Sequence, residues 1–197
     1  VPASPLPRHL SLLLDSSLRL TLDRVRAIFP PLDDANRTPS AFRGACTALT
    51  SDVGGISYPT VCRPRLLLHG EPGNGQQCIA MAVLHALEHC HIFSLDFPTL
   101  VADGSRSPQE ACAHVFAEAR RTSPAIIFLP GADSWLAFAD GALYATMAAL
   151  VAQTPSSLPL LLIGTCDANL YTLDPTVRSR LLQLFPYEHV AIEPPSA

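Results

Sequence analysis

From Arg65 onward the chain alternates short, unbroken apolar runs with stretches of helical periodicity, and this alternation limits its fold more than any other feature. The runs fall at residues 65–69, 92–95, 125–129 and 158–164, and a last strand is expected over 188–192. Strands that are apolar on both faces need cover on both faces, and intervening helices supply it. Helices are expected from Gln76 to about residue 90, from Ser107 to about residue 122, and over 141–153 and 174–184. The second is the best specified. Ser107 can cap free N–H groups, Pro108 suits the first helical position, and Glu110 can reach back to complete a capping box. Its buried side would carry Ala111, Val115, Phe116 and Ala119. The fold class is therefore α/β, three layers with a parallel sheet in the middle.

Composition closes off other classes. With 48% hydrophobic and 15% charged residues, the chain can repay its ordering entropy, so disorder is excluded. No apolar run approaches the ~20 residues of a membrane span. The net charge is -4 and no block of like charges occurs, so nothing marks a direct nucleic-acid binder. All thirteen basic residues are arginine. The six cysteines, Cys46, Cys62, Cys78, Cys90, Cys112 and Cys166, include no C-x-x-C pair and read as buried free thiols in a reducing compartment.

Ahead of the alternating region, residues 1–15 read as a proline-bearing linker. The opening Val1-Pro2-Ala3-Ser4-Pro5 resembles the interior of a longer protein, without a secretory signal. Residues 16–63 should hold a helix over 17–29, with Leu18, Leu22, Val25, Ile28 and Phe29 on one face, stopped by Pro30-Pro31. A long loop is expected over 32–63, where Asp33-Asp34 reads as a solvated pair. Residues 64–194 form the core, and 195–197 end the chain. No internal repeat is visible.

A strand that runs through a glycine-rich loop into a helix can cradle phosphates on backbone N–H groups. The loop here is Gly70-Glu71-Pro72-Gly73-Asn74-Gly75-Gln76-Gln77, set in the frame G-x-x-x-x-G-K-[ST]. Glycines and spacing are kept. Gln76 stands at the lysine position and Gln77 at the magnesium-hydroxyl position. A glutamine amide offers dipoles where lysine offers a full charge, and this sequence holds no lysine to substitute. Two readings stay open: a strand-to-helix turn without ligand, or weak ATP or ADP binding through the backbone alone.

The loop, the helix around 81–88, Ser94-Leu95-Asp96, Ser107-Pro108-Gln109-Glu110 and Arg120-Arg121-Thr122-Ser123-Pro124 together resemble the second AAA+ module of the bromodomain-containing AAA+ chromatin ATPases. The likeness covers roughly residues 12–194, and the G-E-P-G-x-G-Q form of the loop is specific to that module. It implies a P-loop NTPase core and a nuclear protein with two tandem AAA+ modules and a bromodomain reading acetylated histone tails. It also implies a homo-hexamer that handles core histones in nucleosome assembly and disassembly and in transcription regulation.

Against an active AAA+ pattern the losses are consistent. The apolar strand that should end in Asp-Glu, holding magnesium and orienting the attacking water, ends instead in Pro130-Gly131, and Asp133 lies too far along to replace them simply. The sensor position falls near Asp167, where asparagine is usual and a carboxylate has the wrong sign. Residues 100–105, at the pore-loop position, hold no aromatic. Arg178 and Arg180 follow Leu173-Asp174-Pro175, where arginines toward a neighbouring subunit are placed. The helical lid would begin at 195–197. The resemblance thus implies no catalytic residues here, and an architectural role beside a separate, hydrolysing module. A residually active ATPase domain is the alternative.

A competing pattern is His85-Ala86-Leu87-Glu88-His89, which matches the H-x-x-E-H zinc-peptidase signature with Cys90 and His91 beside it. Zinc would need a third ligand, and no glutamate occurs between Glu118 and Glu188. Histidines at a helix C-terminus also suit the helix dipole, so no metal is assigned. Trp135 and Phe138 are expected to fill an apolar pocket near the surface, with a subunit contact as the alternative.

Overall fold

A computed structural model describes residues 3–29, 50–53, 56–59, 64–102, 106–155 and 158–194. In chain order the elements are α1 (Arg8–Ile28), β1 (Thr50–Val53), β2 (Ile56–Pro59), β3 (Arg65–His69), α2 (Gln76–Ala86), β4 (His91–Ser94), α3 (Phe97–Ala102) and α4 (Pro108–Arg121). They continue with β5 (Ala125–Leu129), α5 (Ala132–Phe138), α6 (Gly141–Ala152), β6 (Leu160–Cys166), α7 (Pro175–Leu184) and β7 (Glu188–Ala191). Five strands form one sheet in the order β4-β5-β6-β3-β7, every neighbouring pair parallel. Strands β1 and β2 pair antiparallel as a separate hairpin inside the stretch expected to be a loop.

Strand alternation divides the core in two. Leu66, Leu68, Ile126, Phe128, Leu161 and Ile163 face α1 and α2. Leu67, Ile127, Leu129 and Leu162 face the other way, into a cluster with Phe116, Trp135, Met147 and Phe185. That is the three-layer arrangement the apolar runs demand. Gly164 on β6 has a packing reason: a Cβ there would lie 2.6 Å from the Phe185 ring.

The capping box of α4 forms as expected. Glu110 N–H donates to Ser107 Oγ at 3.2 Å, and Ser107 N–H donates to the Glu110 carboxylate at 3.1 Å. Several bounds differ from expectation. α1 starts at Arg8, inside the stretch expected as linker, because Leu10 and Leu14 extend the apolar face of Leu18 and Leu22 by further turns. Pro7 stands at its N-cap, where its ring costs no helical hydrogen bond. α2 ends at Ala86 rather than near residue 90. β6 runs from Leu160 to Cys166. α3 and α5 were not signalled by periodicity, being only six and seven residues long. Asp33-Asp34, Cys46 and Cys62 lie outside the described residues.

The direction of sheet growth reverses at β3: the chain leaves it for β4 at the far edge, returns through β5 and β6, and then crosses to β7. In such sheets the crevice at the carboxyl ends of the strands around the reversal point is where ligands sit. The glycine-rich loop follows β3 at that crevice.

Candidate functional site

The loop is held at both ends and turned by glycine. Gly73 and Gly75 adopt φ of 92° and 90°, conformations that a side chain disfavours. Asn74 N–H donates to the Glu71 carbonyl at 3.2 Å, and the Asn74 amide donates to the Ile192 carbonyl at 3.0 Å, tying the loop to the end of β7. Gly75 is the N-cap of α2 and brings no capping side chain. The first-turn N–H groups of Gln76, Gln77 and Cys78 have no carbonyl acceptor among the described residues. A helix terminus of this kind carries partial positive charge and favours an anion.

Gln76 changes what the loop can do. Its side chain is 1% exposed and folds back, Nε2 donating to the Glu71 carbonyl at 2.8 Å. The amide therefore closes the loop on itself instead of reaching outward, and it brings no charge. Gln77 stays exposed, and Glu71, Pro72 and Gly73 form the exposed crest.

The facing wall is built by β5 and β6. After Leu129 the chain turns at Pro130 and Gly131, whose φ of 56° again requires a left-handed residue. Gly131 N–H donates to Thr165 Oγ1 at 2.9 Å, so the strand ends in a turn pinned to β6 and not in a carboxylate. Asp133, in the first turn of α5, has a buried Oδ1 without a hydrogen-bond partner. Asp167 follows β6 directly. The fold brings these two aspartates within electrostatic reach of each other, although the sequence alone sets Asp133 aside as too distant. The signal that unites them is the pairing of Leu129 with Gly164, which aligns the ends of β5 and β6.

The Asp167 carboxyl titrates above its ordinary value of 3.8, through partial desolvation first and the Asp133 charge second. A raised carboxyl pKa means that the folded state binds the proton more tightly than the unfolded chain does. The ionised group therefore burdens the fold at neutral pH, and the burden lifts as pH falls through the raised value. Asp167→Asn should raise the thermal midpoint at pH 7. That advantage should shrink as pH is lowered toward 3.8, which melting curves across pH will check.

The arginines of α7 are engaged within the chain. Arg180 donates to the Leu136 and Ala139 carbonyls at 3.3 and 3.4 Å and lies 4.9 Å from the Tyr144 ring centre. Arg178 lies 5.1 Å from the ring centre of Tyr171, an exposed tyrosine. Trp135 and Phe138 lie one helical turn apart on α5 and both meet the Phe97 ring, at 6.4 and 6.2 Å between centres. They differ in depth: Trp135 is 1% exposed in the core, whereas Phe138, at the end of the helix, is 73% exposed.

The H-x-x-E-H pattern does not form one helical face. α2 ends at Ala86, so His85 lies in its last turn while Glu88 and His89 lie in the turn beyond. His85 Nδ1 stands 3.6 Å from the Glu88 carboxylate on an open surface. The thiols of Cys90, Cys112 and Cys166 are pushed up to about 11, 12 and 12 by burial, which keeps them protonated and unreactive at neutral pH.

The family model for ATPases associated with various cellular activities (AAA) matches residues 66–187. An ATPase family AAA domain-containing protein of Arabidopsis thaliana is 40% identical over 136 residues, 68% of this chain and 11% of that protein. Mouse ATPase family AAA domain-containing protein 2 is 31% identical over 195 residues, covering 84% of this chain and 19% of the relative. The ATPase histone chaperone YTA7 of Saccharomyces cerevisiae is 40% identical over 76 residues, 39% of this chain and 6% of that protein. The chain thus matches only a small share of each of these relatives.

Proposed function

We propose, since this chain belongs to the AAA family of ATPases, that it is a module of a larger histone-handling ATPase whose own nucleotide site does no chemistry. The observation that carries this reading is Gln76: a neutral, buried amide bonded to the Glu71 carbonyl, at the position where a phosphate-binding loop needs a free cation. Pro130 and Gly131 support it from the facing wall. A phosphoryl-transfer site needs a carboxylate to hold magnesium and another residue to orient the attacking water. The turn pinned to Thr165 offers neither. Asp133 and Asp167, which lie within electrostatic reach of each other where β5 and β6 end, supply negative charge and no cation.

The role of the domain is then architectural. It would pack beside like subunits in a homo-hexamer while a separate module hydrolyses ATP, in a nuclear protein that acts on core histones and carries a bromodomain. The histone-chaperone name borne by a relative supports the chromatin assignment. Arg178, whose guanidinium rests over an exposed tyrosine, is the better placed of the two α7 arginines to reach a neighbour, because Arg180 is spent on α5 carbonyls.

The test is phosphate release by the purified chain with ATP and magnesium. Release should equal the buffer background. Gln76→Lys alone should leave it there, because a restored cation does not restore the missing carboxylates. Magnesium-dependent turnover by the unmodified chain would overturn the reading.

A further inference from the structure

The loop has two flanks. On one side β6 pairs with β3, and Asp167 follows β6 with Asp133 within electrostatic reach of it. On the β7 side the Asn74 amide bridges to the Ile192 carbonyl, and α1 crosses beside it. Leu14 of α1 presses on the last loop glycine: a Cβ on Gly75 would lie 2.7 Å from Leu14 Cδ1. Leu14 is only 4% exposed and shares a core cluster with Ile79, Val83 and Ile192, while Leu6, Leu10 and Leu18 pack against the same cluster.

A nucleotide with its phosphates on the N–H groups of Gln76–Cys78 must lay its base and ribose along one flank. A base needs apolar surface on its faces, and the apolar flank is the one that Leu14 fills. We infer that the N-terminal half of α1 is an intramolecular plug, seated through Leu14 on Gly75, that occupies the nucleoside flank of the loop. This rests on the non-catalytic reading and goes further. The site is closed by occupancy as well as by lost charge, so restoring the lysine alone does not open it.

The probe is N-methylanthraniloyl-ADP with magnesium, titrated into the 197-residue chain and followed by fluorescence. Four proteins are compared: unmodified, Gln76→Lys, Leu14→Ala and the double variant. The double variant should bind at least tenfold more tightly than Gln76→Lys alone. Equal affinities overturn the plug, whether both are tight or both undetectable. Should Leu14→Ala not fold, Leu14→Val serves instead, since valine has no δ-carbon to touch Gly75. Hydrogen exchange gives a second readout. Leu14→Ala should speed exchange at amides 73–79 while leaving 125–129 slow, and unchanged exchange at 73–79 overturns the plug. Tight binding by the unmodified chain without turnover overturns the plug and leaves the non-catalytic reading standing. Turnover that appears only in the double variant overturns that reading and supports the plug.

Discussion

Replacing Trp135 with alanine should destabilise the chain by about 3–5 kcal/mol, the range for emptying a large aromatic site in a core. The indole is fully enclosed on the side of the sheet that holds Phe116, Met147 and Phe185, and it meets Phe97 edge-on at 6.4 Å between ring centres. Removal leaves a cavity among these packed side chains. Phe138, three residues on and 6.2 Å from the same Phe97, is largely in solvent, so Phe138→Ala should stay within about 0.5 kcal/mol. Trp135→Phe should fall between them, because it keeps much of the packing and removes an indole N–H that has no acceptor. Urea midpoints of the three variants will check the order. A Trp135→Ala cost below about 1 kcal/mol would place Trp135 outside the core. The consequence for assembly is direct: Trp135 is no probe of subunit contacts, and Phe138 is the side chain of this pair left free to make one.

The sheet was legible because its central strands β3, β5 and β6 are apolar runs, a pattern that burial on both faces leaves little freedom to vary. The capping box of α4 was legible for a similar reason: Ser107, Pro108 and Glu110 act on one another within a single turn. What stayed hidden depends on contacts distant in sequence. Leu10 and Leu14 have helical spacing, but three nearby prolines suggest a linker. Only the groove beside α2 rewards extending α1 across them. Asp133 and Asp167 are thirty-four positions apart, and sheet pairing alone makes them neighbours. Gln76 could be read from sequence as a lost charge. That its amide turns inward to the Glu71 carbonyl is a consequence of loop geometry, which residue identity does not carry.

The glycines of the loop offer the sharpest test of what now holds it in shape. Gly70 is buried where β3 ends, and a Cβ there would collide with the carbonyl oxygen of Ile192. That oxygen belongs to backbone fixed from two sides: Ile192 N–H donates to the His69 carbonyl at 2.7 Å, and the oxygen itself accepts from the Asn74 amide. The added methyl would also lie 3.0 Å from Gln76 Nε2, against the amide that closes the loop. The glutamine end can give way, but the Ile192 oxygen is backbone, so the strain must be relieved by parting β7 from the loop. Overpacking of this kind costs about 1–3 kcal/mol, and one lost hydrogen bond adds about 1 kcal/mol, so Gly70→Ala should cost about 3 kcal/mol in total. Gly73 is the contrast. Nothing lies within 4 Å of a Cβ there, and its φ of 92° is the sole objection, worth about 1 kcal/mol. If packing against β7 now maintains the loop, the Gly70 variant must be the more damaging of the two by denaturant midpoint without nucleotide present. Equal costs would mean that backbone conformation alone, and not the seat on Ile192, keeps these glycines in the loop.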